Sequence, residues 1–153
     1  MKHSLLFGLL CSPVGIGLGI ILRIADWGVA SGDGYGLGFI NSAGIAAFLA
    51  PCFIWYIMIE RRKRISVSRG ITVGVLGAAL AHFVCWYLFL VSSYIEHLYL
   101  GESTEKLVGL LEGILAALTY SLVSLPLFSL LTLPIGGLIG GICGRIFKKE
   151  ESV

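Results

Sequence analysis

Two ionisable side chains, His82 and Glu112, stand inside long apolar runs of this 153-residue chain, with Tyr120 as a candidate partner for His82. A charged side chain at the centre of a bilayer costs at least ~2.5 kcal/mol, so such a residue points to a site unless its neighbours satisfy it. An imidazole there can pass a proton, and a carboxylate can couple an ion to transport. If the two runs that hold these residues form an antiparallel hairpin turning near Gly101 to Ser103, His82 stands level with Tyr120 to Leu122. Glu112 then stands beside Ser92 or Ser93. The plain reading is a neutral His82 hydrogen-bonded to Tyr120 or Ser121, serving structure. The active reading makes His82 a proton relay and Glu112 a coupling carboxylate.

Other chemistry is poorly supplied. Glu96, His97, Glu102 and Glu105 cluster in one polar segment, yet one histidine with loosely spaced carboxylates is a poor metal shell. That segment reads as a solvated turn with a helix start at Ser103 or Thr104, and no metal or cofactor is expected. The sequence holds no G-x-S-x-G elbow, no HExxH pair and no phosphate loop. Gly15, Gly17 and Gly19 lack the third glycine of a dinucleotide fingerprint. His82 with Ser121 or Ser124 is the one nucleophile–base geometry on offer, too little for an enzyme. Cys11, Cys52, Cys85 and Cys143 sit in or at the ends of apolar runs without CxxC spacing, which argues against a disulfide framework or a zinc site.

The strongest local pattern is glycine. Gly136, Gly140 and Gly144 interleave with Gly137 and Gly141, giving two overlapping small-xxx-small series on adjacent faces of one helix. In a membrane such faces let two backbones approach closely, within one bundle or between subunits. The densest charge is Arg61, Arg62, Lys63 and Arg64, with Arg69 soon after. Each such charge near an anionic leaflet is worth about 1 kcal/mol, so the cluster suits lipid headgroups as well as setting topology. Nucleic acid is not an expected partner, because these charges flank apolar spans.

The elements that must position these residues follow from composition. Hydrophobic residues make up 57% of the chain and charged ones 13%, where an ordinary soluble domain carries roughly a quarter. The charges are clustered, and each gap between clusters reaches the roughly 20 residues that cross a ~30 Å hydrocarbon core. Backbone polar groups must be satisfied internally there, and the alternation of a membrane β-strand is missing, so the spans are helices. The fold class is all-α, a polytopic four-helix membrane bundle of two antiparallel hairpins. Its spans are 4–24, 37–59, 70–95 and 107–142, in a single domain covering 1–153.

Short loops rich in Lys and Arg stay cytoplasmic. Loop 60–69 is therefore inside, loops 25–36 and 96–106 are outside, and both termini are cytoplasmic, in a bacterial inner membrane. The apolar stretch of the fourth span runs on to Ile146, long enough for two crossings. A fifth span would place the basic tail outside, which favours one crossing bent near Pro126 or Pro134. On this reading the third and fourth helices form a hairpin that projects past the outer surface. The expected role is that of a small non-enzymatic membrane protein acting through helix–helix contact with another membrane protein or itself, as a subunit, assembly factor or toxin-immunity protein. The competing expectation is a small oligomeric channel or transporter with His82 and Glu112 in the pathway.

Overall fold

The computed structural model describes residues 2–25, 35–62, 65–100 and 110–150. These form four long helices: α1 (Lys2–Ile24), α2 (Tyr35–Trp55, continued by a π-helical turn at Tyr56–Glu60), α3 (Val67–Leu100) and α4 (Leu110–Glu150). Each is long and apolar enough to cross a membrane. Leu110–Glu150 is a single helix of 41 residues with Pro126 and Pro134 inside it. A membrane helix tolerates proline because neighbouring helices and hydroxyl side chains re-satisfy the freed carbonyls.

Several boundaries lie farther out than expected. Tyr35 and Gly36 open α2 instead of closing a loop, residues 96–100 complete α3, and α4 continues past 142 to Glu150. Periodicity does not mark such ends, because a helix continues beyond its apolar stretch as long as its backbone bonds close. The remainder of the expected outer loops, 26–34 and 101–106, lies outside the described residues, as do Lys63 and Arg64.

The helices pack in chain order. α3 lies along α4, α1 along α2 and α2 along α3, while α1 and α4 meet over much less of their length. Small residues make the two hairpins. On α3, Gly70, Gly74 and Ala78 face Gly140, Gly136 and Gly144 of α4, so closely that a Cβ on Gly70 would overlap Gly140 O and one on Gly136 would come 3.0 Å from Ala78 Cβ. On α1, a Cβ on Gly8 would sit 2.7 Å from Phe48 O and one on Gly19 3.1 Å from Ile40 Cα, which sets the second hairpin. In lipid there is no hydrophobic drive between helices, so this backbone approach and its dispersion contacts do the holding.

One end of the bundle is closed by aromatic packing. Phe7 and Trp55 are fully buried, with ring centroids 4.5 Å apart, and Phe147 stands edge-on to Trp55 at 5.5 Å. His3 lies 4.5 Å from Phe147, so α1 and α4 meet here. At the same end the Glu60 carboxylate accepts the Ser4 N–H at 2.9 Å and the Ser4 hydroxyl at 3.2 Å. A carboxylate at a helix N-terminus satisfies an orphan donor and opposes the positive end of the dipole. The π turn, closed by Arg61 N–H donating to Tyr56 O at 2.9 Å, takes up one more residue than an α turn. The extra residue turns the end of the helix by about 100°, which carries Glu60 round toward α1. Ser66 then caps α3 by accepting Arg69 N–H at 3.3 Å.

Candidate functional site

The polar centre of the bundle lies where α3 faces α4. His82 Nε2 is 3.1 Å from Thr132 Oγ1, and His82 Nδ1 is 3.4 Å from Ser124 Oγ. Trp86 Nε1 donates to Ser124 Oγ at 3.0 Å, and Thr132 Oγ1 donates to Phe128 O at 3.0 Å. One arrangement that satisfies every group runs Trp86 N–H to Ser124, the Ser124 hydroxyl to Nδ1, Nε2–H to Thr132, and the Thr132 hydroxyl to Phe128 O. A neutral His82 protonated on Nε2 fits this chain, and an Nδ1–H is accommodated as well when the Ser124 hydroxyl turns to Ser121 O. The network is a closed set of hydrogen bonds between α3 and α4.

The partners differ from those expected at Tyr120 or Ser121. Counting from Gly74, which faces Gly136, places Phe128 level with His82, where the expected turn near Gly101 to Ser103 had placed Leu122. The glycines and Ala78 set this register by forcing a backbone-to-backbone fit, whereas the expected register rested on an assumed turn position. Tyr120 instead packs its ring 5.1 Å from the Trp86 ring and is 49% exposed. Ser121 is buried, and its carbonyl lies 3.3 Å from Ser124 Oγ as an alternative acceptor for that hydroxyl.

Glu112 is not part of this centre. It lies in the first described turn of α4 and is exposed. Sixteen residues separate it from Phe128, about 24 Å of helix rise from the level of His82. Ser92 and Ser93, its expected neighbours, both donate to Phe89 O in their own helix, at 2.8 and 3.1 Å. A carboxylate in a first turn is favoured by the helix dipole.

The seam glycines of α4, Gly136, Gly137, Gly140, Gly141 and Gly144, are all buried within the chain. Gly137 and Gly141 face Val75 and Ile71 of α3. Sequence reasoning found this half of the seam and missed its counterpart. Gly70, Gly74 and Ala78 carry the same four-residue spacing, and that signal was available. Arg61 and Arg62 are exposed beside Glu60, as headgroup contact requires.

A cavity of about 130 Å³ lies beside the His82 network, with walls from all four helices. Val14 and Leu18 of α1, Ala47 of α2, Ala81 of α3 and Phe128 of α4 are among its lining. Sequence reasoning gave no sign of it, since it arises from the separation of α1 and α4, which no local pattern encodes. Among the described residues no three His, Cys, Asp or Glu side chains come together, and all four cysteines are free thiols. Comparison with protein-family models, curated proteins and solved structures finds no match.

Proposed function

We propose that the chain is a small, non-enzymatic membrane protein that works by binding another membrane protein through the projecting end of its α3–α4 hairpin. The supporting observation is an uncovered leucine stripe. Leu111, Leu115, Leu118 and Leu122 succeed one another at four-, three- and four-residue steps, with exposures of 81%, 69%, 44% and 72%. That spacing is the seam of a helix that expects a partner helix.

Depth separates this stripe from ordinary lipid-facing leucines. The charged level at Glu60 and Arg69 marks one membrane boundary, and Gly70 opposite Gly140 carries that level onto α4. About 20 residues of hydrocarbon crossing end near Ser121. Leu111, Leu115 and Leu118 then stand beyond the hydrocarbon, where an apolar stripe needs covering. The positive-inside bias places the basic end in the cytoplasm and the stripe outside, in a bacterial inner membrane.

The channel reading has less support. His82 has hydroxyl partners in Ser124 and Thr132, and Glu112 lies at the far end of α4, so the two do not form one site. A photo-crosslinking residue placed at Leu111 or Leu115 in native membranes is expected to give one discrete heterologous adduct, with Gly17 as a lipid-facing control. Ion flux through liposomes of the pure protein, abolished by His82→Ala, would overturn this reading in favour of the channel.

A further inference from the structure

We propose that the basic end of the bundle is a binding site for the anionic headgroup of a bilayer phospholipid, built jointly from α1, α2 and α4. The site lies at the opposite end of the molecule from the hairpin stripe and does not depend on it.

The fold gathers cations that the sequence scatters. The His3 and Phe147 rings stand 4.5 Å apart and the Glu60 carboxylate binds Ser4, so the first turn of α1 joins the ends of α2 and α4. Lys2, Arg61 and Lys148 each stand one residue beyond one of these contacts, all toward the same end. Arg62 and Arg145 complete the group, and all five side chains are exposed. Within the described residues none of the five is held in an ion pair, while the Glu60 carboxylate is spent on Ser4.

Charge decides the sign of the ligand. Every Lys and Arg of the chain except Arg23 and Lys106 falls at this end, against the carboxylates of Glu60, Glu150 and Glu151. A net-negative phosphodiester is drawn by each of those cations, and an arginine adds paired N–H donors that match two phosphate oxygens. A zwitterionic headgroup gains less, because its own ammonium is repelled. Helix stability does not account for Lys2, since a cation in a first turn opposes the helix dipole.

Depth decides between a lipid and a soluble acidic partner. The boundary level at Arg69 and Gly70 reaches α4 at Gly140, and Arg145 lies five residues farther on, about 7.5 Å of helix rise. The polar layer on each side of the hydrocarbon is roughly 5–7 Å thick. Arg145 therefore stands at the depth of the lipid phosphates, with Ile142 and Ile146 exposed beside it. Lys148 is one turn beyond, and its flexible stem can bend back to the same layer. A soluble acidic partner would have to enter that layer, whereas a phospholipid headgroup already occupies it.

The test uses the full chain in micelles holding equal amounts of phosphatidylglycerol and phosphatidylcholine with matched acyl chains, and native mass spectrometry counts the lipids retained. Discrete phosphatidylglycerol adducts are expected to outnumber those of phosphatidylcholine. Lys2→Gln and Arg145→Gln, which leave residues 61–64 intact, are each expected to weaken that retention about fivefold, the ~1 kcal/mol of one basic residue near an anionic surface. Arg23→Gln, at the other end, is expected to leave it unchanged. These side chains are exposed, so their replacement spares the packing. Equal retention of the two lipids by the unmodified chain overturns the proposal, and that result needs no variant. An undiminished preference when Lys2→Gln, Arg145→Gln and Lys148→Gln are combined overturns it equally, as does an equal loss in Arg23→Gln, which would reduce the effect to net charge. Displacement of the lipid by excess glycerol phosphate would overturn it in favour of a soluble phosphate ester.

Discussion

Gly74 and Gly136 stand so close that a Cβ on either one would overlap the backbone carbonyl of the other. Neither obstruction is a flexible side chain, so the helices must part to admit a methyl group. Overpacking of this kind costs about 1–3 kcal/mol. Gly74→Ala and Gly136→Ala are therefore expected to destabilise the protein by that amount in detergent-mediated unfolding. Gly17, whose Cβ would meet nothing within 4 Å, supplies the contrast. Gly17→Ala is expected to be neutral or to gain up to ~1 kcal/mol from helix propensity. Equal losses at Gly74 and Gly17 would show that the seam does not govern stability.

Ser124 and His82 should respond in an order opposite to the usual importance of histidine. Ser124→Ala orphans two groups at once, the Trp86 indole N–H and His82 Nδ1. His82→Leu orphans neither hydroxyl, since Ser124 can turn to Ser121 O and Thr132 already bonds Phe128 O. Unmet donors and acceptors cost about 1–3 kcal/mol in water-soluble proteins, and interhelical bonds in membranes average ~0.6 kcal/mol. We expect Ser124→Ala to lose about 1–2 kcal/mol and His82→Leu to lose less. Unfolding measured on both variants in one detergent checks this, and the reverse order would point to a charged or otherwise essential His82.

The Glu60 clamp on α1 predicts a graded series. Ser4→Ala removes one hydrogen bond of 3.2 Å and leaves the Ser4 N–H on the carboxylate. Its expected loss is about 0.5–1.5 kcal/mol. Glu60→Ala removes both bonds together with a charge that complements the helix dipole, and is expected to lose more. Glu60→Gln keeps an acceptor and should fall between them. Amide exchange at Ser4 reports the clamp directly, rising most in Glu60→Ala. No rise there would mean that the first turn of α1 is held by something else.

Much of the architecture was legible because membrane insertion is written in composition. Clustered charges with long apolar gaps give four helices and nearly their centres, and the glycine series of α4 gives a packing face. Register was not legible. Which residue faces His82 depends on where Gly70, Gly74 and Ala78 lock onto α4, a three-dimensional fit that a guessed turn position missed by about two helical turns. The Glu60–Ser4 bond escaped notice because it rests on a π turn, and nothing in the residues from Tyr56 to Glu60 announces one. The cavity escaped for a related reason, since it belongs to a separation between two helices and to neither sequence.

Topology can be tested without reference to any function. Arg61, Arg62, Lys63 and Arg64, with Arg69, outnumber the positive charges of either other connection, and short basic loops resist translocation. Single cysteines at Gly34, Ser66 and Ser103 sample the three connections between spans. The native thiols of Cys11 and Cys143 are buried, and those of Cys52 and Cys85 are half-buried, so an impermeant maleimide meets little background. Applied to intact cells, it is expected to label Gly34→Cys and Ser103→Cys and to spare Ser66→Cys until the membrane is permeabilised. Replacing Arg61, Arg62, Lys63 and Arg64 by Gln should weaken that asymmetry, because the bias depends on Lys and Arg and not on net charge. Labelling of Ser66→Cys from outside would invert the protein and carry the leucine stripe of α4 to the cytoplasmic face, where its partner would then have to be sought.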